Sequence, residues 1–444
     1  MAMRLSVFGT GYLGATHAAG MAELGHEVVG VDIDAAKIER LARGDVPFYE
    51  PGLPELLRTH VASGRLRFTT DAREAAEWAD VHFIGVGTPQ RPGENAADLR
   101  YVDAVIDTLA PLLTRPAVVL GKSTVPVGTA ARLRERLQAL APAGQDVHLG
   151  WNPEFLREGF AVKDTLEPDR LVVGVDQANP GRVEEVAREV YAAALARDTP
   201  FVVTDFATAE LVKVSANAFL ATKISFINAI AEVCEATGAD VVQLADALGY
   251  DTRIGRRFLG AGLGFGGGCL PKDIRAFMAR AGELGVDQAL TFLREVDTVN
   301  LRRRQHVVDL AARELGGDVR GKRVAVLGAA FKPLSDDVRD SPALDVAGKL
   351  HLAGADVRVF DPQANANAAA VWPTLTYADS AAQACAQAEV VIVATEWEEF
   401  RGLDPHEVGA LVARRCIIDG RNCLDPQAWI GAGWTYRGLG RYAS

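Results

Sequence analysis

One pattern constrains this chain more than any other, and it occurs twice. A short apolar run, Leu5 to Phe8, leads into Gly9-Thr10-Gly11-Tyr12-Leu13-Gly14, and a second run, Val28 to Val31, closes on Asp32. Near the other end, Gly321-Lys-Arg-Val-Ala-Val-Leu-Gly328-Ala-Ala is followed by Gly354-Ala-Asp-Val-Arg-Val-Phe-Asp361. A strand, a glycine turn, a helix and a second strand ending on an acid form the opening unit of a nucleotide-binding α/β fold. The two copies differ in length: Gly9 to Asp32 spans 23 positions and Gly328 to Asp361 spans 33. The extra length lies around Phe331 to Ser341, and long loops after a strand are where such folds bind ligands.

The stretch after each glycine turn alternates strand and helix patterns. The first helix is expected over Tyr12 to Leu24. Further strands are expected at Val81 to Val86, Ala117 to Leu120, Val147 to Trp151 and Leu171 to Val175, as in a parallel sheet with crossover helices. Near Asp205 the pattern changes. Ala207 to Thr237 holds neither Pro nor Gly and repeats its apolar residues at helical spacing, with Thr204 or Asp205 as a cap and Gly238 as a stop. More helices follow to about Arg313. Ala364 to Ala370 reads as a surface loop or helix. The expected fold class is α/β: two Rossmann-like, doubly wound parallel-sheet domains joined by a central helical region with a long helix. The expected boundaries are 1–203, 204–313 and 314–444. A helix as long as the central one commonly bridges domains or builds a dimer interface.

Composition narrows the function. The chain has 444 residues, 49% hydrophobic and 24% charged, with a formal net charge of -11. The length suggests two or three domains. The acidic balance argues against non-specific nucleic-acid binding and against an anionic membrane surface. The five cysteines, Cys234, Cys269, Cys385, Cys416 and Cys423, are widely spaced and form no C-x-x-C. Neither a disulfide framework nor a zinc site is expected, and a reducing, cytoplasmic setting fits. No signal peptide is read at the N-terminus, no apolar stretch is expected to span a bilayer, and no metal-ligand cluster is found.

The first glycine turn implies a dinucleotide. Gly9 permits the tight turn, Gly11 lets the backbone approach a pyrophosphate, and Gly14 lets helix and strand pack closely. The helix N-terminus at Tyr12 and Leu13 offers N–H groups to phosphate. Asp32 can accept from both ribose hydroxyls and would repel a 2′-phosphate, which favours NAD over NADP; Lys37, a few residues on, weakens that preference slightly.

The most informative stretch is Gly264-Phe265-Gly266-Gly267-Gly268-Cys269-Leu270-Pro271-Lys272-Asp273. Its glycines suggest a backbone with exposed N–H groups. Pro271 suits the first turn of a helix, which puts Cys269 at the positive end of that helix beside Lys272. Both neighbours lower a thiol pKa from its free value of ~8.5.

With this loop the sequence resembles the UDP-glucose/GDP-mannose dehydrogenase family, most closely its UDP-glucose branch. Further motifs carry the resemblance over nearly the whole chain: Ser123-Thr124-Val-Pro-Val-Gly128-Thr, Asn152-Pro-Glu154-Phe-Leu-Arg-Glu158-Gly, Lys213-Val-Ser-Ala-Asn217 and Phe331-Lys332-Pro-Leu-Ser-Asp-Asp-Val-Arg339. The resemblance implies that Cys269 is the nucleophile, with Lys213, Asn217 and Asp273 around the reacting carbon. Glu154 and Thr124 would place water and substrate. Thr88 and Glu158 would lie near the nicotinamide. Phe155, Leu156, Arg157 and Glu158 would run along the substrate, with Phe265 and Gly266 of the cysteine loop. Phe331, Lys332 and Arg339 would reach the nucleotide sugar, and Lys272 and Arg339 also count as cofactor contacts. Arg253 would reach the partner subunit's substrate in a homodimer. Gly268 and Leu270 depart from the commoner Ser and Phe, Asp340 stands where Glu is usual, and the segment after Asp361-Pro362 does not look like the family.

The implied reaction is a four-electron oxidation of UDP-glucose to UDP-glucuronate by NAD, through a cysteine thiohemiacetal and thioester. Lys213 and Asn217 would stabilise charge on the reacting oxygen. Glu154 and Asp273 would share water activation and proton transfer. GDP-mannose or a UDP-N-acetylhexosamine is the alternative substrate. A non-catalytic dinucleotide-sensing scaffold is the reading from another class, against which the intact cysteine loop speaks.

Overall fold

A computed structural model describes residues 2–441. The chain divides into two compact units. One takes the residues up to Ala216 together with Arg275–Gly285; the other takes Asn217–Ile274 and the residues from Val286 onward.

The first unit is built on eight strands: β1 (Arg4–Phe8), β2 (Glu27–Val31), β3 (Leu66–Thr69), β4 (Val81–Ile84), β5 (Ala117–Gly121), β6 (Val147–Trp151), β7 (Leu171–Val175) and β8 (Phe201–Asp205). They lie in the order β3-β2-β1-β4-β5-β6-β7-β8. All neighbours are parallel except β6 and β7, which meet antiparallel at Trp151 and Gly174. Strands β4, β5 and β7 are buried along their whole length, because helices cover both faces and leave no solvent side for polar residues. This is why β5 and β7 read as continuous apolar runs, while the one polar residue of β4, His82, is buried against the Ser6 hydroxyl at 2.7 Å. The helix Tyr12–Glu23 follows β1 directly. The strand order reverses between β2-β1 and β4, so the glycine turn after β1 sits at a topological switch point.

The second unit repeats the plan with six parallel strands: β9 (Arg323–Leu327), β10 (Asp356–Phe360), β11 (Thr376–Tyr377), β12 (Val390–Val393), β13 (Cys416–Asp419) and β14 (Thr435–Gly438), in the order β11-β10-β9-β12-β13-β14. The helix after β9 begins only at Pro342. The extra residues therefore form a loop over the end of β9, where the longer spacing put them. Ala364 to Ala370 proves largely helical, within Asn365–Val371.

The long helix runs Phe206–Thr237. Asp205 caps it by accepting from the Thr208 amide at 2.8 Å, and Gly238, at φ +79°, ends it. By length and composition this helix is apolar enough to cross a membrane, with a mean hydropathy of 1.3 over its best window. That corrects the expectation that no stretch is long enough. Two of its polar residues are nevertheless buried against protein partners. Ser225 donates to Val296 O at 2.6 Å, and Asn228 accepts from the Gly262 amide at 2.9 Å. Buried polar side chains on such a helix are retained because each finds a hydrogen-bond partner.

Candidate functional site

In the first unit the glycine turn is fixed by close packing. A Cβ at Gly14 would overlap the Gly9 carbonyl oxygen, whereas nothing lies within 4 Å of the Cβ position at Gly11. The chain is tight where helix meets strand and open where a phosphate would approach. The Asp32 carboxylate accepts from the Thr10 amide at 2.9 Å and hydroxyl at 3.0 Å, and from Lys37 Nζ at 2.9 Å. Burial pushes the Asp32 carboxyl up, but the bonds from Lys37, Thr10 and Asp34 outweigh it and hold it below the usual carboxylate range. These residues fit a dinucleotide with an unphosphorylated ribose. Tyr12 and Leu13 are half-buried at the start of the helix.

Along the rest of this sheet edge, Thr88 donates its hydroxyl to Thr124 O at 2.7 Å. Glu154 accepts at Oε1 from the amides of Phe155, at 2.7 Å, and Leu156, at 3.1 Å. Its Oε2 lies 3.0 Å from the amine of Lys122, which is 3% exposed. Lys122 Nζ also donates to Asn152 Oδ1 at 3.0 Å. Burial pulls the Lys122 pKa down, yet Glu154 and Tyr191 raise it net, so the ammonium persists. The Phe155 ring carries Arg170 3.9 Å from its centroid and Lys213 5.5 Å from it. Arg157 folds back onto Asp164 and Glu158 is buried.

In the second unit, Cys269 immediately precedes the helix Leu270–Glu283 and its carbonyl accepts from the Asp273 amide at 2.9 Å. Cys269 is exposed, whereas Cys234, Cys385 and Cys416 are buried. Burial pushes the Cys385 thiol up to about 12 and the Cys416 thiol up to about 11. Asp273, 2% exposed, takes Asn217 Nδ2 on one oxygen at 2.6 Å and Lys272 Nζ on the other at 2.5 Å. Lys213 and Asn217 lie on successive turns of the long helix.

The glycines before Cys269 have a different reason from the one the sequence suggested. They are not a cradle of exposed N–H groups. The Gly267 amide donates to Arg339 O at 2.8 Å and the Gly268 amide to Asp337 Oδ2 at 3.2 Å. A Cβ at Gly266 would overlap the Asp340 carbonyl, and one at Gly268 would overlap the Arg339 guanidinium. The loop after β9 lies directly on the cysteine loop and leaves no room for a side chain at Gly266, where the obstacle is backbone. Arg339 is forked onto Asp337, Lys332 lies 5.5 Å from the half-buried Phe331 ring, and Phe265 and Gly266 are buried. Arg253 stands away from this cluster, 87% exposed and paired with Asp251.

Sequence reasoning missed the residues that brace the loop. Asn300 accepts from the Phe265 amide at 2.7 Å and donates to its carbonyl at 2.9 Å. Arg304, 3% exposed, reaches Phe265 O and Asp340 Oδ1 at 3.0 and 2.8 Å. Arg421 donates to Gly264 O at 2.8 Å and to Phe331 O at 3.3 Å. No local pattern marks them. Lys122 was readable as a lone charge closing the apolar run of β5. Asp361 corrects the apparent equivalence of the two turns. It is 2% exposed and accepts from the Ala329 and Ala330 amides and from Trp397 Nε1 at 2.8 to 3.0 Å. Its carboxylate is spent on backbone amides and an indole inside the fold, whereas that of Asp32, at 10% side-chain exposure, is shared between the glycine turn and Lys37.

A dinucleotide turn, a second nucleotide-type sheet and a cysteine at a helix start define an NAD-dependent dehydrogenase of the two-sheet kind. Comparison with known proteins makes this specific. Residues 3–195, 207–302 and 325–426 match the NAD binding, central and UDP binding domains of the UDP-glucose/GDP-mannose dehydrogenase family. The chain is 42% identical to a UDP-glucose 6-dehydrogenase of Rhizobium meliloti, covering 99% of this chain and 100% of that one. It is 40% identical to UDP-glucose 6-dehydrogenase TuaD of Bacillus subtilis, covering 99% and 94%. The structure of a UDP-glucose dehydrogenase from Pyrobaculum islandicum superposes with a TM-score of 0.91 at 40% identity, covering 100% and 98%. The chain belongs to the UDP-glucose/GDP-mannose dehydrogenase family.

Proposed function

We propose that this protein is a UDP-glucose 6-dehydrogenase, oxidising the C6 alcohol of UDP-glucose to the carboxylate of UDP-glucuronate. The observation that carries the reading is full-length identity of about two fifths to relatives of that name. The cysteine loop supports it. NAD, when bound, accepts one hydride in each of two oxidations. Loss of hydride and a proton from the alcohol gives an aldehyde. The Cys269 sulfur, favoured as thiolate at a helix N-terminus, adds to the aldehyde carbon and leaves an oxyanion. Lys213 and Asn217 stabilise that charge. Expulsion of the second hydride leaves a thioester at C6, and water cleaves it to the acid and the free thiol. Asp273 and Glu154 position this water and carry its proton.

The remaining site assignments belong to the same reading. Thr88, Thr124, Glu158, Lys272 and Arg339 line the cofactor, and Phe155, Leu156, Arg157, Phe331 and Lys332 line the sugar nucleotide. The three-part organisation, a cytoplasmic setting and a homodimer in which Arg253 reaches the partner's substrate complete the proposal. The test is NADH production with a panel of sugar nucleotides. Two NADH per UDP-glucose, with much lower rates on GDP-mannose and UDP-N-acetylhexosamines, is expected; preferential turnover of another sugar nucleotide would overturn the substrate.

A further inference from the structure

Glu50 belongs to none of the motifs above, yet it is 1% exposed and carries a dense set of hydrogen bonds within the first unit. Its Oε2 accepts from the Tyr12 hydroxyl and from the Gly159 amide, the latter at 2.6 Å. Its Oε1 accepts from the Ala161 amide at 2.7 Å. The Gly159 amide also lies 3.0 Å from the Tyr12 oxygen. A buried carboxylate is retained only where donors surround it, and here the donors come from two separate segments. Tyr12 opens the helix that follows the dinucleotide turn. Gly159 directly follows Glu158, and Ala161 begins the next helix. The two segments also touch further along, since a Cβ at Gly20 would meet the Thr165 methyl at 2.5 Å. The Tyr12 ring is seated on Phe48, two residues before Glu50, with centroids 4.9 Å apart.

We infer that Glu50 is a positioning residue that couples the dinucleotide turn to the Glu154–Gly159 loop, so that occupancy of one raises the affinity of the other. This rests on the reading above, in which that loop lies along the sugar nucleotide. The Tyr12 hydroxyl and the Gly159 amide share one carboxylate oxygen. A ligand that fixes the glycine turn fixes Tyr12, and through Glu50 it fixes the start of the loop. The second ligand then meets a loop already ordered, which is positive coupling. Because the effect is reciprocal, it can be read from either ligand.

The experiment is a fluorescence titration of NADH into the full-length protein, with and without saturating UDP-glucuronate, a pair that cannot turn over. In the unaltered protein UDP-glucuronate is expected to tighten NADH binding by about fivefold or more. In Tyr12→Phe and Glu50→Gln that ratio is expected to fall to within about twofold of unity. A merely structural role would weaken both affinities and leave the ratio in place. Tyr12→Phe removes a single oxygen from a half-buried side chain, so it carries the test even if Glu50→Gln does not fold. A ratio near one in the unaltered protein, or an unchanged ratio in Tyr12→Phe, would overturn the coupling while leaving the substrate reading intact. Absence of any UDP-glucuronate binding would overturn the substrate reading and the coupling with it.

Discussion

Asn217 donates from Nδ2 to Asp273 Oδ2 at 2.6 Å, and Lys272 lies 2.5 Å from the other oxygen of the same buried carboxylate. With a donor on each oxygen, Asp273 has one orientation available and acts as an acceptor toward both neighbours. Asp273→Asn places an N–H against one of those donors whichever way the amide turns. The mismatch is expected to cost about 1–3 kcal/mol of stability. Formation of UDP-glucuronate should fall at least ~100-fold, the scale of a lost acid–base group. Thermal denaturation and steady-state rates separate the two effects. An Asn variant that keeps most of the activity removes Asp273 from the chemistry.

Cys269 differs from the other cysteines in exposure, and the difference is chemical. Iodoacetamide should alkylate Cys269 first in the native protein, while Cys234, Cys385 and Cys416 stay protected by burial. Peptide mass spectrometry of briefly treated protein reads this directly; prior modification of a buried cysteine would contradict it. Cys269→Ser should fold, because the side chains are nearly isosteric, yet lose nearly all steady-state production of UDP-glucuronate. A serine hydroxyl is scarcely ionised near neutral pH, and any ester it formed hydrolyses less readily than a thioester. Cys269→Ala retaining a large fraction of the rate would end the covalent mechanism.

Much of the fold was legible because the strands that matter are buried on both faces. Val147–Trp151 and Leu171–Val175 lie where the apolar runs put them. Strand β4 ends at Ile84 rather than Val86. The reason is local: Val86 leaves the sheet to pass over the glycine turn, where a Cβ at Gly9 would meet its side chain at 2.6 Å. The motif residues were legible, but their neighbours were not. The bond from Gly268 to Asp337 joins residues 69 positions apart, and that from Arg421 to Gly264 joins residues 157 apart. Such pairs are created by strand order, which local periodicity does not encode. The second glycine turn misled for the same reason: the pattern around Asp361 matches that around Asp32, but only the fold shows Trp397 covering it.

The bond from Lys37 to Asp32 bears on cofactor choice. The carboxylate should reject the 2′-phosphate of NADP, while the ammonium 2.9 Å away offsets part of that repulsion. The unaltered enzyme is expected to favour NAD by at least ~100-fold in kcat/KM, a difference of about 2.7 kcal/mol. Lys37→Ala should widen the ratio by removing the cation paired with this carboxylate, and Asp32→Ala should narrow it. Comparable kcat/KM for NAD and NADP in the unaltered enzyme would contradict the assignment.

Glu210 makes stability depend on pH. It lies on the long helix at 2% exposure, and its carboxylate accepts from the Gly128 amide at 2.7 Å and the Ala130 amide at 2.6 Å. It thereby caps the helix Thr129–Leu140, whose own N-cap residue, Gly128, has no side chain to do so. Burial raises its pKa from 4.5 to about 7, against the lowering effect of those amides. Between these values the folded state holds a proton that the unfolded state has released. Stability is therefore fully present below pH 4.5 and is lost as pH rises through about 7. The shift corresponds to a change on the order of 3 kcal/mol. Glu210→Gln cannot ionise; like the protonated carboxyl it offers one carbonyl oxygen to the two amides, so it should match the unaltered protein at acid pH and keep that stability as pH rises. Urea unfolding of both proteins in steps from about pH 5 to about pH 8 should therefore show the unaltered protein losing stability relative to Glu210→Gln as pH rises. Parallel curves across that range would mean that Glu210 is already ionised throughout, and that the cap operates as a permanent carboxylate.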